Sequence, residues 1–235
     1  MKNDPRTQMK ELLKSEQLEE LLVRAAALHG HYCPGLAFGI KAGHTGLERL
    51  GFENTGMEEL LAVVECNNCF VDGIQMSTGC SMGNNSLIYK DIGKTAVTIM
   101  SRKTGSAVRL VLKPRSWEGE GATERDREAA DLFRRVVKER RDDPEASRRM
   151  RELWQELSFE TVGKPVDELF TISEAPCEFP EFAPIVDSIE CTVCKEEFMC
   201  TKNAGTEDKP VCLNCADKGI MAVLGRGITE LGENN

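Results

Sequence analysis

Two pairs of cysteines near the carboxy terminus, Cys191-x2-Cys194 and Cys212-x2-Cys215, constrain this chain more than any other feature. The 17 residues between the pairs match the spacing of a four-thiolate zinc site. Each tight CxxC turn presents two sulfurs at tetrahedral geometry, and the intervening loop folds back to deliver the second pair. A module of about 30 residues cannot bury a useful core, so one structural zinc ion per chain would supply most of its folding free energy. An iron–sulfur cluster and unligated thiols are the alternatives that the spacing leaves open. Cys200, between the pairs, reads as a spectator.

The chain has 10 cysteines in 235 residues, too few for a disulfide-stapled scaffold, so they read as metal ligands or reactive thiols. No run of 18 uncharged apolar residues is present, and the segment MKNDPRTQMKELLK lacks the apolar stretch of a secretory signal. The expectation is a cytoplasmic protein without a membrane span. The formal charge is −9. Residues 158–235 account for it, with 6 Lys/Arg against 15 Asp/Glu. A surface of that sign repels phosphate backbones, which argues against nucleic-acid binding by the carboxy-terminal third.

The pattern before the cysteine pairs is α+β. Leu18, Leu21, Leu22, Ala25 and Leu28 mark one helical face that stops at Gly30, with His29 in the last turn. Leu36, Ile40, Gly43, Leu47 and Leu50 mark a second helix ending at Gly51; its many glycines point to close approach of another backbone. Residues 60–66 read as a buried strand ending at Cys66, and Cys69 with Asp72 open a short helix. TAVTIMSR and SAVRLVLK form a hairpin across Lys103-Thr104-Gly105. A helical hairpin spans residues 123–157, with Ala129, Ala130, Phe133, Val136 and Val137 expected on the core side of its first helix. Met150, Leu153, Trp154 and Leu157 mark the core side of its second. The stretch APCEFPEFAP from Ala175 reads as a stiff linker. The expected organisation is a core domain over 1–174, a linker over 175–186, and a zinc-finger domain with a tail over 187–235.

A second chemical constellation lies in the core. His29-Gly30-His31-Tyr32-Cys33-Pro34-Gly35 contains all but one of the chain's histidines, and Cys69, Asp72 and Cys80 follow. A helix-terminal His followed by a turn bearing His and Cys can present ligands on one side, and the Cys69-x2-Asp72 pair can add a thiolate and a carboxylate. The bland reading is a capping His and buried core cysteines. His44 falls within the glycine-rich helix pattern and reads as a packing residue. Thr78–Asn84 is glycine-containing but lacks the Lys of a phosphate loop. Arg127, Arg134, Lys138 and Arg141 alternate with acids and read as a solvated, ion-paired face.

Taken together, HGHYCPGLAFGIKAG, the run from Cys69 through Asp72-Gly73-Ile74-Gln75 to Thr78–Asn84, Gly93-Lys94-Thr95-Ala96 and Ala107-Val108-Arg109 resemble the FmdE family of formylmethanofuran dehydrogenase subunits over residues 15–115. The carboxy-terminal pairs resemble the treble-clef zinc finger that some members append. The resemblance implies helices packed on a mixed or antiparallel sheet and a homodimer. It also implies that His29 or His31 gathers with Cys33, Cys69, Asp72 and Cys80 into an active or metal site in the core, a reactive-thiol centre or a second metal ion with ligands drawn from His29, His31, Cys33 and Cys69. A role as accessory subunit of the molybdenum or tungsten formylmethanofuran dehydrogenase of one-carbon metabolism follows from it, alongside other subunits of that complex. The chain has no pterin-binding domain or ferredoxin-like cysteine run of its own, so the molybdenum or tungsten pterin would belong to a partner subunit. A regulatory module that contacts a partner protein through its finger, and a standalone metalloenzyme, are the competing expectations.

Overall fold

The computed structural model describes residues 4–51, 54–115, 117–119 and 121–231. The chain divides into two compact units, one ending at Phe179 and the other beginning at Pro180. No helix among the described residues is long and apolar enough to cross a membrane.

The first unit is α+β. Helices α1 (Thr7–Lys14), α2 (Leu18–His29), α3 (Pro34–Leu50) and α4 (Phe70–Thr78) pack with a five-stranded sheet of β1 (Leu60–Val64), β2 (Leu87–Tyr89), β3 (Ala96–Ser101), β4 (Ser106–Leu112) and β5 (Phe170–Glu174). The strand order is β2-β1-β3-β4-β5. The sheet is mixed, because β1 and β2 run parallel whereas every other pairing is antiparallel. The β3–β4 hairpin turns at Gly105, whose φ is +66°. Leu21, Leu22, Leu36, Ile40, Ile74 and Phe170 belong to one continuous core between helices and sheet.

The helix ends follow the sequence closely. Gly30 closes α2 in the left-handed region, at φ +91°. Cys33 precedes α3 in extended conformation, and Pro34 occupies the first turn, where its missing N–H costs nothing. The glycines of α3 serve the approach of α4. A methyl group added to Gly39 would lie 2.0 Å from the Phe70 carbonyl oxygen, and one added to Gly73 would lie 2.3 Å from that of Leu36. Two backbones can approach this closely only where neither carries a Cβ.

Two expectations are corrected here. Helix α5 (Glu124–Phe133) is capped by Thr123 and Asp126 and then widens into a π-helical turn over Arg134–Lys138. Leu132, before that turn, is buried with Ala129, whereas the wider turn rotates the face beyond Phe133 and leaves Val137 exposed rather than on the core side. The second helix of that hairpin, α6 (Pro144–Gly163), starts at an Asp143 cap as its sequence predicts, and α7 (Val166–Leu169) leads into β5. The proline-rich stretch does not serve as linker from its first residue. Ala175, Cys177 and Phe179 pack on Leu61, Val63, Met100 and Ala107, covering a second apolar cluster of the sheet, and Arg102 lies over the Phe179 ring. The alternating small and aromatic side chains give this extended segment one apolar face, and burial of that face fixes it to the sheet.

The second unit contains hairpins β6–β7 (Ser188–Glu190, Glu197–Met199) and β8–β9 (Ile220–Leu224, Gly227–Leu231). The four paired cysteines lie between and beside them. Beyond Cys212 the chain makes a single helical turn, with the Ala216 N–H donating to the Cys212 carbonyl, and then enters β8.

Candidate metal centres and the cleft beside one of them

In the second unit the Sγ atoms of Cys191, Cys194, Cys212 and Cys215 all lie within 4.8 Å of one another. Backbone amides support them, with Cys212 N–H donating to Cys191 Sγ and Cys215 N–H to Cys212 Sγ, both at 3.5 Å. The backbone amides of Cys212 and Cys194 hold Cys191 low, at a pKa of about 6, while sulfur neighbours push Cys215 up to about 12. A four-sulfur cluster of this kind is compatible with a small zinc site, and its soft donors fit that ion. Cys200 stands outside the cluster, its N–H donating to the Asp187 carbonyl.

The core brings a second set together where three helix ends converge. His29 is the last residue of α2, Cys33 immediately precedes α3, and Cys69 immediately precedes α4. Ligand atoms of His29, His31, Cys33 and Cys69 lie within 4.8 Å of one another. Gly35 permits the convergence, since a Cβ there would stand 3.1 Å from Cys69 Cβ. Two helix amino termini favour negative charge on the thiols, and the α2 carboxy terminus favours positive charge on the imidazole.

Each member has a distinct anchor. Cys33 Sγ accepts from the Leu36 amide at 3.4 Å and lies 3.7 Å from His29 Nε2. His29 Nδ1 lies 2.7 Å from Asp72 Oδ2, and the Gln75 amide donates to the other Asp72 oxygen. With the proton on Nδ1, the Nε2 lone pair faces the sulfurs, an arrangement in which a carboxylate orients a metal-binding His. Asp72 thus contacts the donor set through His29. Among the described residues, the His31 ring meets other rings and no hydrogen-bond partner, 4.5 Å from His29 and 5.7 Å from Trp154 between centroids.

The electrostatics follow from these contacts. The two thiols share a hydrogen bond. Cys33 retains its proton and is shifted upward, while Cys69, accepting from Cys33 and near His29, falls to about 6. Burial pulls His29 down, but the Asp72 hydrogen bond and the Cys69 thiolate outweigh it and raise its pKa. Burial and the neighbouring His29 ring lower that of His31.

Cys80, expected in this group, is elsewhere. It follows α4, whose nine residues separate it from Cys69 by about 13 Å of helix axis. Its Sγ is fully buried, donates to the Leu60 carbonyl and meets the Asn54 amide. Burial raises its pKa, consistent with a core thiol. The Thr78–Asn84 loop uses its polar groups internally, through Asn84 to Gly79 and Ser81. His44 is buried in α3 against the Leu13 carbonyl, as a packing residue.

The core cluster borders a cavity of about 650 Å³ that Cys33 and Cys69 line together with Phe38, Trp117, Phe133 and Trp154. Both tryptophans of the chain thus face one cleft. Arg115, Glu118, Arg134 and Lys138 are its charged lining. Periodicity alone places Phe133 and Trp154 in the core and Arg134 and Lys138 on a solvated face. Trp117 and Arg115 carry no sequence signal, because they lie in a loop without periodicity. A cavity of about 740 Å³ elsewhere, lined by Glu16, Glu20, Lys41 and Glu48 among others, includes no thiol.

A family model described as "FmdE, Molybdenum formylmethanofuran dehydrogenase operon" matches residues 28–171. An Archaeoglobus fulgidus protein named "Probable S-adenosyl-L-methionine-binding protein" is 38% identical over 218 residues. The match covers 91% of this chain but 57% of that protein, so the chain spans little more than half its relative's length. A solved FmdE-like protein of tungsten formylmethanofuran dehydrogenase type, from Syntrophus aciditrophicus, superposes with a TM-score of 0.54 at 20% identity. That superposition covers 84% of this chain and 91% of the other, a likeness of fold.

Proposed function

The chain belongs to the FmdE family, and from that premise we propose that it is a two-centre metal protein, with a structural zinc in the carboxy-terminal unit and a functional metal centre in the core. The observation that carries the reading is that the core donor set opens onto a cleft. Cys33 and Cys69 are both cluster members and cavity-lining residues. The core unit also buries a large apolar cluster of its own and has little need of a staple.

Two imidazole nitrogens and two sulfurs fit zinc, and a zinc ion held there supplies Lewis acidity toward a ligand atom. His29, Cys33 and Cys69 are the permanent donors in this reading, because each is anchored by a helix end or a hydrogen bond. His31 is the exchangeable donor, since no hydrogen bond fixes its ring among the described residues. Its displacement would open a coordination position toward the cleft.

The biological setting follows from the family. We place the protein in the cytoplasm as a homodimer, acting as an accessory subunit or relative of a subunit of the molybdenum or tungsten formylmethanofuran dehydrogenase, with the pterin in a partner subunit. The Archaeoglobus relative's name supports a second reading, in which the aromatic cleft receives S-adenosyl-L-methionine; its cationic sulfonium and adenine ring both suit Trp117 and Trp154.

The test is metal content per full-length chain, purified without added metal. About two ions are expected, falling to about one in Cys33→Ser/Cys69→Ser and in Cys191→Ser/Cys194→Ser. A single ion lost only in the second variant would overturn the core centre.

A further inference from the structure

Building on the core metal centre, we infer that the cleft is a binding site for a planar aromatic or heteroaromatic compound carrying an anionic group. Its ring would stack among Trp117, Phe133 and Trp154, and its negative charge would pair with Lys138.

Four observations converge. A volume of about 650 Å³ is that of a small-molecule site. The chain has only two tryptophans; both line this cleft half-buried, and each is also packed against the apolar cluster of Ala129, Leu132, Met150 and Leu153, which holds it in place. Trp154 further contacts Phe133 and His31, at 5.9 and 5.7 Å between centroids, so the aromatic lining continues to a member of the donor cluster. Finally, the π-helical turn over Arg134–Lys138 departs from regular helix at the cleft wall, and it carries both Arg134 and Lys138 into the lining. Such turns are costly in an ordinary helix and recur at functional sites.

The charge assignment rests on which cations are already used. Arg115 is paired with Asp126 at 2.5 Å and lies 4.2 Å over the Trp117 ring, which it holds in place. Arg134 is paired with Asp131 and Glu139. Lys138 has no carboxylate within ion-pair reach among the described residues and rests 5.8 Å over the Phe133 ring. It is the lining cation left for a ligand. Glu118, which is exposed, is the single lining carboxylate among the described residues, and it disfavours a second negative charge.

The probe set is naphthalene-2-sulfonate, naphthalene-2-carboxamide and cyclohexanesulfonate, titrated calorimetrically into full-length protein, with tryptophan fluorescence reporting on the cleft. Sulfonate is a poor zinc ligand, so its binding does not depend on coordination. The expected result is binding of the aromatic sulfonate at least ~10-fold tighter than either analogue, about 1.4 kcal/mol. Lys138→Met should erase its advantage over the carboxamide, and Trp154→Leu should weaken both aromatic probes by ~10-fold. Lys138 is on the surface, so its replacement keeps the fold even if that of Trp154 does not. Equal binding of cyclohexanesulfonate, or an unchanged preference in Lys138→Met, overturns the inference. Metal analysis of the same samples separates the two readings. Probe binding without core metal would overturn the metal centre alone, whereas core metal without probe preference would overturn the ring site alone.

Discussion

His29 and Asp72, 43 residues apart in sequence, meet at 2.7 Å between Nδ1 and Oδ2. The contact joins the end of α2 to the first turn of α4 and turns His29 Nε2 toward Cys33. The carboxylate thereby fixes both the tautomer and the ring angle of a candidate ligand. Asp72→Asn should leave a core metal bound but weaken it by about 10- to 100-fold, measured by competition with a chelating dye. Loss of affinity equal to that of Cys69→Ser would make Asp72 a ligand rather than an orienter.

The two imidazoles should differ in the same assay. His29→Ala removes an anchored donor and is expected to release the core ion, whereas His31→Ala should retain it. Equal loss in both variants would show four permanent ligands.

Metal removal should act on one unit far more than the other. Among the described residues from 180 onward, Cys191 is the single fully buried apolar side chain, so thiolate–metal bonds would take the place of a core there. A strong chelator is expected to collapse amide dispersion for residues 180–231 in NMR spectra while the signals of the core unit persist.

Helix approach gives a stability prediction. Gly39→Ala places a methyl group 2.0 Å from the Phe70 carbonyl oxygen, against backbone that cannot step aside, and should cost about 3 kcal/mol in urea unfolding. Gly163→Ala, at the end of α6 with open space around it, should instead stabilise by about 0.5–1 kcal/mol.

The Glu65–Arg109 pair sets an acid dependence. Arg109 donates two hydrogen bonds to the nearly buried Glu65, at 2.8 and 2.7 Å, and holds its carboxyl below the usual value of 4.5. A depressed carboxyl stabilises the fold above its unfolded pKa, and the contribution fades as pH falls through the lower folded value. Arg109→Met should cost about 2–3 kcal/mol at pH 7, shrinking below about pH 4.5 as Glu65 protonates. A pH-independent cost in denaturant titrations would assign Arg109 a packing role.

Some of this was written locally. The αL stop at Gly30, the Pro34 helix start and the β3–β4 hairpin depend on a few adjacent residues whose backbone preferences act over short range, and the sequence predicts all three. The two CxxC pairs are legible for the same reason, as are the His29–Cys33 ligands packed into one turn. Tertiary structure decided what spacing cannot express. Helix length carried Cys80 away from Cys69, although both stand in the same motif run. The close approach of α3 and α4 set Cys33 beside Cys69, and the π-turn swung Lys138 from a solvated stripe into the cleft. Trp117 and Trp154 became neighbours of one cavity only through packing of a loop against α6. A residue's neighbours across the chain are fixed by burial and excluded volume acting on the whole fold, whereas its own turn or cap is fixed by the dihedral limits of the residues beside it.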